Sequence, residues 1–421
     1  MEALLAASVT SGDCAALFIV IRHRGPELPE NAVGRPETLV TPALNTHDTP
    51  ALTRVRDDAG AGMSPEFLRN AAGDGSHRAA RSRVADSWRA LACLGVVLFH
   101  GCNTLSGTHP WLEWAAEVFS RTGPRLSIFF VVSGYCLTVS IERRAAAGSG
   151  PLEFFRNRFL RIYPIYWVAL LLAFGLGLLA TPFNGRPASE VFPATPLAWL
   201  GDITLTSLWL GHPPKLVVMW FLNHLVGLYL VYGLALLFRS PTNRFSFYAA
   251  VTAVSFGPFA RDYLPALELW PQFACGIALA LALRPATRPQ ERPQSWRFGP
   301  LLYPLVYGLV GAWTGQVFPV YAAATSLLLG LSLRWQDGLP NAPCPLLAVA
   351  AASYSIYLVH VTVMSPALNL ARRLVPADSF GFVIAWAAHL VLGVVAGLLF
   401  FRFIERPLQR YFAPLSRPLP T

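Results

Sequence analysis

The feature that most constrains this chain is a run of apolar segments, each near the length of one membrane crossing, that begins at about residue 85 and continues almost to the end. The segments fall at roughly 85–104, 125–141, 162–181, 217–238, 245–260, 268–284, 299–315, 318–334, 346–366 and 380–403, and one crossing needs about 20 mostly apolar residues. In hydrocarbon every backbone N–H and C=O must find its partner inside the segment, so these runs are expected to be helices. Their residue pattern lacks the alternation of a barrel. The predicted fold class is therefore all-α, a polytopic membrane bundle of about ten helices. The composition agrees, with 54% hydrophobic and 13% charged residues, against about 25% charged in an ordinary soluble domain. The stretch 190–216, broken by Pro193, Pro196, Pro213 and Pro214, is expected to be an external or re-entrant loop.

Residues 1–83 differ from the rest. They are rich in Pro, Ala, Gly, Asp and Arg without sustained periodicity, and read as a disordered cytoplasmic extension. Met63 is an alternative start within it. The short run Ala15–Ile21 is too brief to span and follows an acidic start, so membrane entry is expected through the first span. The membrane domain is taken as 84–412, with a short tail at 413–421. Arginines concentrate in alternate loops (Arg143, Arg144, Arg239, Arg244, Arg284, Arg288 and Arg292 among them), which predicts both termini in the cytoplasm. The net charge of +10 sits at the ends of apolar segments rather than in a soluble patch, so no nucleic-acid partner is expected. The six cysteines, Cys14, Cys93, Cys102, Cys136, Cys275 and Cys344, have no zinc-like spacing, so neither a metal nor a disulfide framework is expected.

Ionisable groups inside spans are expensive and mark candidate sites. On the first span Arg89 and His100 are 11 residues apart, which places them on nearly one helix face about 16 Å apart along the axis. Asp86 can pair with Arg89 or cap the helix. A second basic group, Arg156, Arg158 and Arg161, precedes the third span beside Tyr163; it serves as positive-inside flanking and also suits a phosphate-bearing anion. The second span holds Ser133-Gly134, read equally as a close helix contact or a substrate contact. Ser353, Tyr357 and His360 share a face at i, i+4 and i+7. Glu405 stands beside Arg406 where the last span ends. Stacked by depth, these residues form a cationic layer (Arg89, Arg158, Arg161, with Glu405) on the cytoplasmic side and a neutral His/Ser/Tyr layer (His100, Ser133, His224, Tyr357, His360) above it. That stacking suits an anionic donor entering from the cytoplasm and a hydroxyl acceptor met at or beyond the midplane. Intramembrane polar groups of this kind also occur in transporters and permeases for small anionic or glycosidic solutes, although no internal repeat is evident.

Residues 84–412 resemble the acyltransferase-3 family of integral membrane O-acyltransferases. Arg89 and His100 are similar to its opening arginine–histidine signature. Phe129-Phe130-Val131-Val132-Ser133-Gly134-Tyr135 resembles its second-helix motif, and Arg158-Phe159-Leu160-Arg161-Ile162-Tyr163-Pro164 its third-helix entry. Ser353-Tyr354-Ser355-Ile356-Tyr357-Leu358-Val359-His360 resembles its late element, and Ile404-Glu405-Arg406-Pro407 its terminal Glu-Arg-Pro. Trp220-Phe221-Leu222-Asn223-His224-Leu225 keeps the family's Trp and Leu but has no carboxylate. No appended esterase-like domain is expected. The resemblance implies transfer of an acyl group, acetyl by first expectation, from acyl-CoA as co-substrate to a hydroxyl of a surface polysaccharide, lipid-linked sugar or other glycan or glycolipid, at the inner (cytoplasmic) membrane, with no bound cofactor. It implies His100 as general base and Arg89 as a second catalytic residue, with Arg156, Arg158, Arg161 and Glu405 around the donor. Asp86, Ser133, Tyr163, Trp220, His224, Tyr357 and His360 are then expected to bind or orient substrate.

Overall fold

A computed structural model describes residues 83–102, 125–146, 150–184, 187–257, 267–283, 299–335, 343–376 and 379–413, with a few isolated positions between them. The expected extension up to residue 82 and the tail beyond 413 lie outside the described residues. Among the described residues the chain is helical and has no strand.

The helices are α1 (Arg83–Cys102), α2 (Arg125–Ala146), α3 (Pro151–Asn184), α4 (Pro196–Thr204), α5 (Met219–Ala235), α6 (Pro241–Ser255), α7 (Trp270–Ala282), α8 (Leu302–Thr314), α9 (Val317–Arg334), α10 (Cys344–Leu374), α11 (Phe380–Phe400) and α12 (Arg406–Phe412). A single π-helical turn, Phe401–Glu405, joins the last two. Each of the ten apolar segments read from the sequence holds a helix among its described residues. Five stretches, within α2, α3, α9, α10 and α11–α12, are long and apolar enough to cross a membrane, and α5 and α7 are shorter apolar helices. Leu171, Leu179, Leu309, Trp313 and Leu399 point outward, as expected of helices whose outer surface meets lipid.

Cross-helix contacts fix the directions. Arg89 meets Ser353 and His100 meets His360, so α1 and α10 run parallel. The Tyr354 hydroxyl donates to the Ile162 carbonyl, which sets α3 alongside them. Gly393 lies against His360 and Gly397 against Ile356, so α11 returns antiparallel. The end where α1, α3 and α10 begin is called the base below, and the opposite end the top.

Lipid tails are as apolar as leucine, so helices in a membrane associate through close packing of small residues rather than through a hydrophobic drive. A Cβ built on Gly134 would meet the Phe273 carbonyl at 2.2 Å, and one on Gly276 would meet the Val131 carbonyl at 2.0 Å. These two glycines let α2 and α7 touch backbone to backbone. The Ser-Gly pair on the second span is therefore a helix contact through Gly134, with Ser133 half-buried beside it.

The stretch 190–216 turns inward. Thr195 caps α4 by accepting the Ala198 N–H, with Pro196 in the first turn. Leu205 then takes a left-handed conformation (φ 57°) that reverses the chain. The side chains of Tyr163, Tyr166 and Trp167 donate to the Thr204, Asp202 and Ile203 carbonyls. The end of α4 thus lies against the middle of α3. The Asp202 carboxylate accepts from the Ser207 hydroxyl and the Lys215 N–H, and Asn223 accepts from the Leu208 N–H. These bonds hold 205–218 as an ordered return to α5.

Candidate active site

At a rise of about 1.5 Å per residue, Arg89 and Ser353 stand roughly 9–14 Å above the ends where α1 and α10 begin. Arg89 Nη1 lies 3.3 Å from Asp86 Oδ1, and its Nη2 donates to Ser353 Oγ at 3.1 Å. The i, i+3 pair expected on α1 therefore forms, and it is tied across to α10. Glu405, buried on the π turn, accepts from the Ser355 hydroxyl and from Gln409 Nε2 (2.7 Å). Arg161 and Arg89 stand close enough to attract its charge. On α3, Arg158 lies over the rings of Phe154 (5.3 Å) and Tyr229 (5.2 Å), a position that suits a weakly hydrated guanidinium. Arg156 is half-buried and Arg161 exposed. Between them Asn157 has both amide atoms buried without a hydrogen-bond partner among the described residues. A buried amide left unpaired is costly, so this position invites a polar ligand.

Roughly 25 Å above the base, by the same rise, His100 and His360 meet. Their ring centroids are 5.2 Å apart. His100 is half-buried, and His360 is fully buried. His360 Nδ1 lies 2.9 Å from the carbonyls of both Ile356 and Tyr357. A carbonyl only accepts, so Nδ1 carries the proton, and the lone pair of the neutral ring is on Nε2. That Nε2 is buried with no hydrogen-bond partner among the described residues. Tyr357 packs against Phe129 and Phe221, and its hydroxyl donates to the Val218 carbonyl at 2.6 Å.

The shared face predicted for Ser353, Tyr357 and His360 therefore divides. Ser353 and His360 face α1, while Tyr357 reaches toward the end of the re-entrant return. Tyr163 is spent on holding α4 and stacks on Phe159 at 4.8 Å. Trp220 and His224 pack edge to face, with His224 Nδ1 bonded to the Trp220 carbonyl at 2.7 Å. His224 Nε2 lies 4.0 Å from a carboxylate oxygen of Glu268. An exposed carboxylate from before α7, some forty positions on, thus approaches His224 at more than hydrogen-bond distance. No local spacing could have found it. The sequence reading gave no role to Asn157 or His389, and named Ser355 only within the late motif; His389 is a buried histidine on α11 whose Nε2 has no hydrogen-bond partner among the described residues. Among the described residues no three His, Cys, Asp or Glu side chains gather as a metal site.

A half-exposed histidine packed on a fully buried one, above a layer of arginines within a helical bundle, is suited to deprotonating a hydroxyl near an anionic donor. The family comparison agrees with this geometry. The family described as an acyltransferase domain, Acyl_transf_3, matches residues 85–402, and the chain belongs to it. The protein is a membrane acyltransferase, and the transporter alternative gives way. The chain is also 27% identical over 344 residues to acyltransferase MdmB of Streptomyces mycarofaciens, an alignment covering 70% of this chain and 83% of that relative. No solved structure matches.

Proposed function

We propose that the protein is a ten-span enzyme of the cytoplasmic membrane, with both termini in the cytoplasm, that moves an acyl group, acetyl by first choice, from acyl-CoA to a hydroxyl of an extracytoplasmic glycan or glycolipid. The observation that carries this reading is the His100–His360 pair above the arginine layer. The base of the bundle is then the cytoplasmic side, the donor phosphates lie against Arg89, Arg156, Arg158, Arg161 and the amide of Asn157, and the thioester extends upward to the histidines.

The step balances simply. His100 takes the proton of the acceptor hydroxyl as its oxygen attacks the thioester carbonyl carbon. The C–S bond breaks, and the thiolate of CoA leaves and takes a proton from the imidazolium. An imidazole can both take up and give up a proton near neutral pH, which suits both halves of that exchange. His100 rather than His360 is the base because it is the accessible one of the two. His360 orients: its protonated Nδ1 is committed to two carbonyls, so only its Nε2 lone pair faces the reacting groups. An acyl-His100 intermediate is the covalent variant of the same chemistry.

The test is the acyl-ester content of surface polysaccharide, by proton NMR, in a deletion strain complemented with wild type or His100→Ala. Esters lost on deletion and restored only by wild type support the reading. Unchanged esters in all strains, together with no consumption of labelled acetyl-CoA by membranes, would overturn it.

A further inference from the structure

His100 sits in the last turn of α1, which ends at Cys102. The carbonyls of a last turn have no donor within the helix, so an imidazole placed there rests on a helix end that must be held from outside. Trp386 of α11 does this. Its indole Nε1–H donates to the Gly101 carbonyl at 3.0 Å, one residue beyond His100. The Trp386 carbonyl in turn accepts from His389 Nδ1. Gly101 is buried, and a Cβ built on it would meet a methyl carbon of Leu390 at 2.2 Å, so α1 rests directly on α11 at this point. We propose that Trp386 is a positioning residue for acyl transfer, whose N–H pins the His100 turn of α1 to the face of α11 that also bears on His360, and so sets how the two imidazoles meet. The proposal rests on the reading of His100 as the base given above.

The spacing along α11 leads to this role. Trp386, Leu390, Gly393 and Gly397 follow one another at i, i+4, i+7 and i+11, which at about 100° per residue places them on one stripe of the helix. The first two touch α1 at Gly101. The last two touch α10. A Cβ on Gly393 would meet Met364 Sδ at 2.6 Å and His360 Cβ at 3.4 Å, and one on Gly397 would meet Ile356 Cα at 2.4 Å. Ile356 also supplies one of the carbonyls that hold His360 Nδ1. One stripe thus bears on both turns that carry the facing histidines. Its two ends hold in different ways. Against α10 it is close packing at glycines. Against the end of α1 the neighbouring contacts are apolar, with Cys102, Leu368 and Phe382 buried together and Leu98 packed on them. Apolar burial is non-directional and lets a helix end turn or slide, whereas an N–H···O bond fixes direction as well as distance. Among these contacts the indole bond is the directional one. A reacting group displaced by about 1 Å can lose as much as 10²-fold in rate, so this one bond matters more to the chemistry than to the fold.

Trp386→Phe keeps an aromatic ring in the cluster and removes the N–H. The full-length variant and wild type are compared in two ways. Membranes of the complemented deletion strain are assayed for consumption of labelled acetyl-CoA, and the protein in nanodiscs is treated with diethyl pyrocarbonate, with the modification rate of each histidine read by mass spectrometry. In the variant kcat is expected to fall about three- to tenfold, as for loss of one neutral hydrogen bond, with the KM for acetyl-CoA unchanged. His100 is expected to be modified several-fold faster, while the buried His224, His360 and His389 keep their wild-type rates. Wild-type kcat together with wild-type modification of His100 would overturn the proposal. A lower kcat without faster modification of His100 would overturn it as well, since Trp386 would then act elsewhere. Faster modification of all four histidines would do the same, because Trp386 would then hold the whole fold rather than one turn. Faster modification of His100 alone with wild-type kcat would keep the indole clamp and overturn the reading of His100 as the base. If wild-type membranes consume no acetyl-CoA, the donor reading falls, and the modification rates alone decide the clamp.

Discussion

At the charged layer near the base, Arg89 gives hydrogen bonds to Asp86 and Ser353, and Glu405 takes them from Ser355 and Gln409. Toward the end of α2 and the start of α6 the pattern repeats, with Arg244 paired to both oxygens of Glu142 at 2.9 Å. In the histidine layer the opposite holds. The Nε2 atoms of His360 and His224, and of His389 on α11, are buried without a hydrogen-bond partner among the described residues. Burying a polar atom unpaired costs stability, and these three imidazoles carry that cost, while the Arg89 and Arg244 guanidiniums and the Glu405 carboxylate have hydrogen-bond partners. Asn157, Tyr248 and Ser326 also bury polar atoms without a hydrogen-bond partner among the described residues, and Asn157 lies among the arginines proposed to hold the donor.

Each way of disturbing this contrast has a distinct expected result. His100→Ala has the largest effect. It should lower turnover by about 10²–10⁴-fold, the usual worth of a general base, with protein level and membrane insertion unchanged. Turnover in purified membranes checks this, and wild-type rates would remove the base from the histidine layer. Glu405→Ala should act on stability instead. It deprives the buried Ser355 hydroxyl and the half-buried Gln409 amide of their acceptor and removes the attraction to Arg161 and Arg89, for a loss on the order of 2–4 kcal/mol. Thermal unfolding of the detergent-solubilised protein reads that loss. Arg89→Gln should raise the KM for acetyl-CoA by about tenfold, the worth of one charge-assisted contact to phosphate, while Ser353→Ala changes it by less than about threefold, because a neutral hydroxyl merely positions the guanidinium. Equal effects of the two would place Arg89 in the structure rather than at the donor. Smallest of all, Tyr357→Phe removes one neutral hydrogen bond to the Val218 carbonyl, worth about 1 kcal/mol, and should shift acceptor KM by a few-fold with acetyl-CoA KM unmoved.

The helices were legible because hydrocarbon allows so little else. Every apolar segment from residue 85 onward became a helix, and the largest error was in the reach of α3, which runs from Pro151 to Asn184 where the apolar run predicts 162–181. Its polar first turns, with Glu153 and the arginines, do not read as membrane helix in a hydropathy window, yet packing against α5 holds them helical, as Phe155 against Gly233 shows. Arg89 beside Asp86, and His100 on the same face, follow from helical periodicity within one segment. Ser133 and Tyr163 were less legible. Each lies in a motif, but close packing at Gly134 and the dock of α4 on α3 decide what those motifs do in the fold.

The sequence by itself determined the class of fold, the Asp86–Arg89 pair and the histidine on each of α1 and α10, because these depend on length, apolarity and a period of 3.6 residues within single segments. Only the tertiary structure decided that the two histidines meet, that Glu268 approaches His224, that Asn157 and the His360 Nε2 lack partners among the described residues, and that the 190–216 stretch folds back against α3. Those outcomes depend on which helices run parallel and how near they approach. That is set by backbone contact at small residues such as Gly134, Gly276, Gly393 and Gly397, whose partners lie far away along the chain.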